Sequence, residues 1–272
     1  MSKPYPSPPA LMRAVADRAR KQAPVLGTSV GELTNRFYIQ RLMARVFLDD
    51  PEGWLLKGGQ ALLVRHQGAR HSRDLDLLYR APERDLNEAV AVLRRAAEVD
   101  LGDFVRFEFH DTQEQIEGRH SRKVRFNVLM GRKNLNSTVS VDLVAGLAPL
   151  GDPVIRPLQS PLGIELDEPV QIRLYPVTDH VADKVCAMYE THAGGTPSSR
   201  VKDLVDLIVI ALSEEVDGNA AQQALRFEFQ RRRKSGTNIT LPAAFVVPDR
   251  RSWSGGYREG ARTVIGLEQY GV

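Results

Sequence analysis

The sequence is poor in cysteine and contains no long apolar run. Cys186 is the only cysteine among the 272 residues, which excludes an internal disulfide and a cysteine-rich zinc site, so we expect it to fill core space. The longest strongly apolar stretch, residues 205–212, includes Asp206 and is far shorter than the roughly 20 residues that span a bilayer. The first residues carry scattered charges and lack the apolar segment of a secretory signal. These absences predict a cytoplasmic protein without a membrane span.

A large excess of one charge is also missing. Lysine and arginine total 37 against 34 acidic residues, a formal charge of +3, and 42% of residues are hydrophobic, as in an ordinary globular protein. The histidines have no HExxH spacing, so a zinc hydrolase is not supported. The local exception is basic, since residues 231–234 read RRRK. This run either contacts nucleic-acid phosphate or forms the solvated end of a helix.

Hydrophobic periodicity divides the chain into a sheet-containing part and a helical part. We expect strands at residues 54–56, 74–79, 104–110, 123–130, 137–144 and 172–175. We expect helices at residues 9–21, 32–48 and 60–66, from Pro82 to about residue 97, at 177–192 and 200–213, and from about residue 217. Roughly the last thirty residues show no clear period, which predicts a loosely structured tail packed on the helices. A domain boundary near Pro176 would separate residues 1–176 from residues 177–272.

Asp74 and Asp76 lie two residues apart in DLDLLY, which alternates acidic and apolar residues. Side chains at i and i+2 of a strand project to the same face, so the two carboxylates could share divalent ions. Oxygen ligands of this kind suit magnesium or manganese. Repulsion makes such a pair costly without a cation or strong hydrogen-bond donors. Taken alone, the motif is also compatible with two solvent-facing acids on an edge strand.

Gly58 and Gly59 lie upstream, at a predicted strand-to-helix junction. Glycines there allow backbone N–H groups and a helix N-terminus to approach a phosphate, although a simple turn would also explain them. Asp142 lies among valines in another alternating segment, VSVDLVA, where an unpaired carboxylate would be expensive. Three acids on adjacent strands would complete a metal site.

Two groups of motifs resemble a known family. KGGQAL at residues 57–62 and RHSRDLDL at residues 70–77 are similar to nucleotidyltransferase toxins of the AbiEii type, which include the mycobacterial MenT toxins. Lys184 in DHVADKVCAMYE and RVKDLVDL at residues 200–207 resemble the later lysine and the R-x-K-D-x-x-D-L signature of that family. The resemblance implies an α+β fold, in which a polymerase-β-like nucleotidyltransferase core with a mixed sheet is joined to a helical C-terminal half.

The resemblance also implies roles for the residues that match its motifs. Asp74 and Asp76 would bind Mg²⁺, or alternatively Mn²⁺, and Asp142 would be a third carboxylate that helps to deprotonate the attacking hydroxyl. Lys184 would contact the triphosphate and act in catalysis, although a surface lysine is the alternative interpretation. The nucleotide-binding set would comprise Lys57, Gly58, Gly59, Lys184, Arg200 and Lys202.

By the same resemblance Asp206 would belong to the catalytic set, while Asp203 would have a supporting role and Ser72 a regulatory one. Asp203 and Asp206 lie three residues apart on one predicted helix, and one of them would position Lys184 or Arg200. We favour Asp206 because it lies within an apolar run; otherwise Asp203 would be a capping acid and Asp206 part of a buried ion pair. Ser72 would be a site of inactivating modification, or an ordinary loop serine.

The implied function is that of a toxin in a toxin-antitoxin system. It would add nucleotides from a nucleoside triphosphate to the 3′ end of transfer RNA and so block aminoacylation, and a cognate antitoxin protein would neutralise it. One alternative is nucleotidyl or phosphoryl transfer to a protein or small-molecule hydroxyl. Another is a non-catalytic RNA-binding module that retains the fold, because a fold alone does not determine a function.

Overall fold

The chain is described here by a computed structural model. The structure describes residues 5–80, 85–114, 121–164, 169–262, 264 and 266–267. The predicted helix start at Pro82 lies outside these residues. The α-helices are α1 (Pro8–Gln22), α2 (Val30–Asp49), α3 (Gly58–Arg65), α4 (Leu86–Ala97), α5 (Val177–Met188), α6 (Val201–Ser213), α7 (Gly218–Lys234) and α8 (Arg250–Ala261).

Among these described residues, seven strands form one mixed sheet and two more form a small separate sheet. The strands are β1 (Trp54–Lys57), β2 (Leu75–Tyr79), β3 (Val105–Glu114), β4 (Ser121–Met130), β5 (Lys133–Ala145), β6 (Val154–Pro157), β7 (Gln171–Leu174), β8 (Glu190–Thr191) and β9 (Asn238–Ile239). The large sheet has the order β3-β4-β5-β2-β1-β7-β6. In it β2 pairs in parallel with β5, and β1 with β7, while the other pairings are antiparallel. The predicted mixed sheet followed by helices, and with it the α+β class, is confirmed.

Local sequence signals explain several helix boundaries. Ser29 accepts a hydrogen bond from the backbone of Glu32, whose side chain accepts one from the backbone of Ser29, so a complete capping box begins α2. Asp85 caps α4 and Asp217 caps α7 through their side chains. The caps of α2 and α7 place these two helix starts within a few residues of the predicted ones.

Two predictions about the helical half were wrong. The predicted helix at residues 177–192 ends at Met188, because the next residues form β8 and pair with β9. The tail is more ordered than expected, since α8 buries Trp253, Tyr257 and Ala261 at four-residue intervals. The buried stripe packs this helix against α6.

In the described part of the chain, the apolar core consists of two principal clusters. The larger one lies between the large sheet and α1, α2 and α4, and it includes Trp54, Phe37 and Phe47. The second is formed mainly by α6 and α8, together with Leu62 and Leu63 of α3. The helical half is therefore packed onto the strand-to-helix junction that carries the two glycines, while the boundary at Pro176 stays a prediction. Cys186 is buried, as expected for a core-filling residue.

None of the helices in the described part of the chain combines the length and the apolar composition needed to cross a membrane.

A buried charge pair joins α2 to the start of β3. The Arg45 guanidinium is 1% exposed and donates to Asp103 Oδ1 at 2.8 Å and to the Val105 carbonyl at 2.5 Å. The Arg41 guanidinium lies 3.7 Å from the same carboxylate. Removing one partner of a buried ion pair leaves the other charge desolvated and uncompensated.

We therefore expect Asp103→Ala to lower the free energy of unfolding by about 3–5 kcal/mol. The matched control is Asp17→Ala, which removes an exposed ion pair with Arg20 and should change stability by less than about 1 kcal/mol. Urea denaturation of the three proteins measures both effects. Equal stability losses in the two variants would show that the buried pair contributes no more to stability than the exposed pair.

Candidate active site

Four charged residues form a row across four neighbouring strands. The strand register places Lys57 opposite Asp76, Asp76 opposite Asp142, and Asp142 opposite Lys123. Residues directly opposite each other on neighbouring strands project to the same face of a sheet. The order of charges along the row is therefore positive, negative, negative, positive. The parallel pairing of β2 with β5 thus brings together two of the three predicted carboxylates.

The two central carboxylates disfavour each other's charge. Burial of Asp76, followed by the charge of Asp142, raises the pKa of the Asp76 carboxyl from 3.8 to about 7, although Lys57 and Lys184 act in the opposite direction. A carboxylate with such a pKa needs additional positive charge to be fully ionised at neutral pH. Asp76 and Asp142 thus have the electrostatic character of ligands that would gain from a bound cation.

Asp74 lies just before β2 and is held at the edge of this row. Its side chain is 47% exposed, and the Lys123 Nζ atom lies 3.6 Å from its Oδ1 atom and 3.3 Å from Asp142 Oδ1. Lys123 is therefore a cation placed between two of the predicted metal ligands. Among the described residues, no three histidine, cysteine or acidic side chains are grouped closely enough to hold a metal in this arrangement.

The carboxylates nevertheless fit a divalent cation chemically. They are hard oxygen donors of the type that Mg²⁺ and Mn²⁺ prefer. The unfavourable ionisation of Asp76 and the ammonium group between Asp74 and Asp142 are two independent signs that this site requires positive charge.

Gly58 gives Asp76 the space that it occupies. Gly58 begins α3 with φ +62, and a Cβ atom at this position would overlap the Asp76 carboxylate. At Gly59, a Cβ atom would lie 2.6 Å from Ser72 Cβ. Both glycines thus have a steric role in packing the site, while their predicted contact with phosphate stays a prediction.

The sequence prediction did not anticipate this use of Gly58. We expect Gly58→Ala to displace Asp76, to abolish most activity, and to cost about 1–3 kcal/mol from overpacking beyond the backbone strain. Gly27→Ala is the matched control, because Gly27 has φ +59 but open space around it. It should cost only the strain of about 1 kcal/mol and retain activity. Denaturant unfolding and nucleotide transfer would be measured, and equal behaviour of the two variants would contradict the steric role.

Lys184 lies in a buried network that connects α5 to α6. Its side chain is 5% exposed, and Nζ donates to Asp203 Oδ1 at 3.0 Å and to Asp206 Oδ2 at 2.6 Å. Although burial disfavours its charged form, Asp206 and Asp203 raise the pKa of Lys184 above the ordinary value. The surface-lysine interpretation is therefore wrong.

The two acids of α6 each hold a second cation. Asp206 Oδ2 accepts from Arg70 at 2.7 Å, whereas Asp203 Oδ2 accepts from Arg200 at 2.6 Å. Burial alone would raise the pKa of Asp203, but the charges of Lys184 and Arg200 outweigh burial and lower it. Both acids therefore contact Lys184. Asp203 also contacts Arg200, and Asp206 also contacts Arg70.

Ser72 lies between the glycine junction and the acidic row. Its Oγ atom donates to the Asp74 carbonyl at 3.3 Å, and its own carbonyl accepts from Gln60 Nε2 at 2.8 Å. The side chain lines the same groove as Asp74 and Asp76.

A groove of about 1300 Å³ separates the acidic row from the helical half. Its lining includes the predicted residues Lys57, Gly58, Gly59, Ser72, Asp74, Asp76, Asp142, Lys184, Arg200, Lys202 and Asp203. Lys202 is exposed, and the Arg200 side chain is 54% exposed, so both can contact a ligand. Asp206 is fully buried behind this lining.

The basic run at residues 231–234 has a mixed role. Arg231 and Lys234 line the groove, whereas Arg232 is buried and paired with Asp183, Glu190 and Glu228. The interpretation as a solvated helix end is therefore wrong for Arg232, which instead ties α7 to α5 and β8.

A family model described as "Nucleotidyl transferase AbiEii toxin, Type IV TA system" matches residues 41–268. The chain belongs to the AbiEii nucleotidyltransferase toxin family. Together with the mixed sheet, this membership confirms the expected fold and the type of enzyme. AbiEii membership also implies a nucleoside triphosphate substrate and an antitoxin partner. Nucleotidyltransferases of this kind generally use divalent metal ions.

Two solved structures from Helicobacter pylori are distantly similar to this AbiEii member. JHP933 has 13% identity and a TM-score of 0.37, covering 75% of this chain and 94% of its own. A protein to which nucleotidyltransferase activity has been attributed has the same identity and TM-score, covering 72% of this chain and 94% of its own. No curated protein matches the sequence.

Two site residues were missed by the sequence prediction. Lys123 carried no recognisable motif, because its proximity to Asp142 depends on strand pairing. Arg70 was part of the quoted RHSRDLDL segment but received no role, and its contact with Asp206 joins residues 136 positions apart. Neither contact has a local sequence signature.

The raised pKa of Asp76 predicts a pH-dependent stability. Its folded pKa of about 7 exceeds the ordinary 3.8, so Asp76 destabilises the metal-free protein progressively as pH rises between these values. In the presence of a chelator, we expect Asp76→Asn to be about 2–4 kcal/mol more stable than the unsubstituted protein at pH 8, with a much smaller difference at pH 5. Urea denaturation of both proteins at pH 5 and pH 8 measures this stability difference. A stability difference that does not depend on pH would contradict the shifted pKa.

Proposed function

We propose that this chain transfers nucleotides from a nucleoside triphosphate to the 3′ end of transfer RNA, blocking aminoacylation, with Mg²⁺ or Mn²⁺ held by Asp74, Asp76 and Asp142. The observation that carries the proposal is the groove, in which in-register carboxylates share the lining with Lys184, Arg200 and Lys202. The family provides the reaction type. The metal, the acceptor and the residue roles are the proposed part.

The carboxylates and Lys184 divide the chemical work. When bound, divalent ions lower the pKa of an attacking hydroxyl and neutralise the triphosphate. Asp142, which is partly exposed on β5, accepts the proton of the 3′ hydroxyl. The hydroxyl oxygen forms a bond to the α-phosphorus as the bond to the leaving pyrophosphate breaks. Lys184 uses two of its three N–H donors on Asp203 and Asp206, which leaves one for a phosphate oxygen of the leaving group.

The nucleotide is held around the glycine junction and the start of α6. Gly58 and Gly59 bring the N-terminus of α3 close to the phosphates. Lys57 supplies charge from the end of β1, where its Nζ atom lies 4.4 Å from the centre of the Tyr175 ring. Arg200 and Lys202 reach the groove from α6 and bind the nucleotide from the opposite wall.

The groove is large enough for a nucleotide and the end of an acceptor strand. Its volume of about 1300 Å³ exceeds the roughly 300–1,000 Å³ of a typical small-molecule site. Arg73, Lys202 and Lys234 line it, and each could meet the phosphate backbone of RNA. Single-stranded RNA ends expose the reactive hydroxyl without unwinding, which fits the 3′ end of transfer RNA.

Ser72 is the proposed site of regulation by the antitoxin. Its hydroxyl lies in the groove beside Asp74. A phosphoryl group there would add about −1.5 to −2 charges next to the carboxylates and would repel the triphosphate. We also propose that residues 1–176 and 177–272 act as a catalytic domain and a helical domain that close the groove from two sides.

The first test is labelling of total transfer RNA by each of the four nucleoside triphosphates, labelled in the α-phosphate, with Mg²⁺. We expect metal-dependent labelling of RNA, and we expect it to fall at least about 100-fold in Asp76→Asn. Losing a metal ligand should reduce activity more than losing a residue that only supports a ligand. The exposed acid Asp17 provides the matched control Asp17→Asn, which should be fully active. Transfer RNA oxidised at its 3′ diol should remain unlabelled.

Other outcomes select other functions. Labelling of protein while RNA stays unlabelled would indicate that the acceptor is a protein hydroxyl. Label on RNA that persists after oxidation of the 3′ diol would contradict addition at that end. Binding of transfer RNA without transfer of any nucleotide would contradict the proposed reaction.

A further inference from the structure

Lys123 occupies a position that no sequence motif marks. It lies on β4 directly opposite Asp142 of β5, and its Nζ atom contacts both Asp74 Oδ1 and Asp142 Oδ1, at 3.6 and 3.3 Å. Its side chain is 30% exposed. One ammonium group thus joins two carboxylates that come from different segments, one before β2 and one within β5.

The two contacts give Lys123 an electrostatic task. Asp74, Asp76 and Asp142 place three acids at one end of the groove, and their charges oppose one another. A lysine ammonium is a compact point charge on a flexible stem, so it can bridge two acids without the fixed geometry of an arginine. On the other side of the row, Lys57 has its own contact with the Tyr175 ring. Lys123 is therefore a cation that bridges Asp74 and Asp142.

We propose that Lys123 is a built-in counter-cation that holds Asp74 and Asp142 in place without metal and gives way when a divalent ion binds, thereby setting the metal affinity of the site. This inference rests on the proposed metal-dependent function. The Lys123 ammonium and a divalent ion bound by the same carboxylates would repel each other at such short range. Because the side chain is partly exposed, it can turn towards solvent without leaving a buried charge.

The proposal makes opposite predictions for metal binding and for metal-free stability. Lys123→Met keeps the length of the side chain and removes its charge. We expect it to bind Mn²⁺ about tenfold more tightly, comparable to the effect of residues that support metal ligands. We also expect a lower melting temperature in chelator and a larger rise on adding Mn²⁺. A residue that only packs the site would lower stability without tightening metal binding.

Mn²⁺ binding is measured by electron paramagnetic resonance without nucleotide, beside melting curves with chelator or Mn²⁺. Lys123→Arg retains the charge and should bind Mn²⁺ much as the unsubstituted protein does. Lys133→Met is the matched control, since Lys133 is exposed at the other end of the same strand pair; it should leave both measurements unchanged. Lys123→Gln replaces the methionine variant if that variant does not fold.

The outcomes separate this inference from the proposed function. Tighter Mn²⁺ binding in Lys123→Met, with lower metal-free stability, supports the counter-cation. Equal or weaker binding in Lys123→Met, with clear binding by the unsubstituted protein, overturns the inference and leaves the metal-dependent function intact. Weaker binding would instead indicate that Lys123 organises the ligands. If neither protein binds Mn²⁺ without nucleotide, the inference fails, while the metal-dependent labelling of transfer RNA tests the proposed function separately.

Discussion

The site depends on the repulsion between Asp76 and Asp142, which parallel pairing of β2 with β5 places directly opposite each other. Two carboxylates in register on adjacent strands are unfavourable unless positive charge is nearby. The surrounding residues meet this constraint only in part, because the pKa of Asp76 stays raised to about 7. Lys57 and Lys123 flank the pair in the same row, and the absence of a side chain at Gly58 leaves the Asp76 carboxylate its space. Sheet topology, the glycine junction and the cations are thus parts of one electrostatic arrangement.

Local patterns predicted the residues of this arrangement that lie close in sequence. Asp74 and Asp76 are recognisable because the strand period is two, and Gly58 and Gly59 because they follow a short apolar strand. Lys123 is different, because β4 and β5 have a register shift between Asn127 and Leu129. Met130 pairs with Lys133 at the hairpin. If the register were regular, Lys123, seven residues before Met130, would lie opposite Ser140, seven residues after Lys133. The observed partner is Asp142. The irregularity that creates the contact has no signal in the sequence pattern.

The same limit applies to the fold. The strands and longer helices were predictable, since each buries a stripe with its own period. The tail helix α8 was not, because RRSWSGGYREGA is rich in residues with low helix propensity. Burial of Trp253 and Tyr257 against the second apolar cluster overrides that weak local preference. Arg70 and Asp206 show the corresponding limit for the site, since their contact exists only once α6 is packed beside the loop before β2.

The charge of the groove explains why its own side chains are insufficient for the proposed reaction. The described lining residues include eight cations, namely Lys57, Arg70, Arg73, Lys184, Arg200, Lys202, Arg231 and Lys234, and seven acids, namely Glu32, Asp74, Asp76, Asp142, Asp183, Asp203 and Glu259. Several cations are already paired, as Lys184 is with Asp203 and Asp206. A triphosphate brings several more negative charges into a space that is nearly neutral. Its binding beside Asp76 and Asp142 therefore requires added positive charge, and divalent ions provide it where the repulsion is greatest.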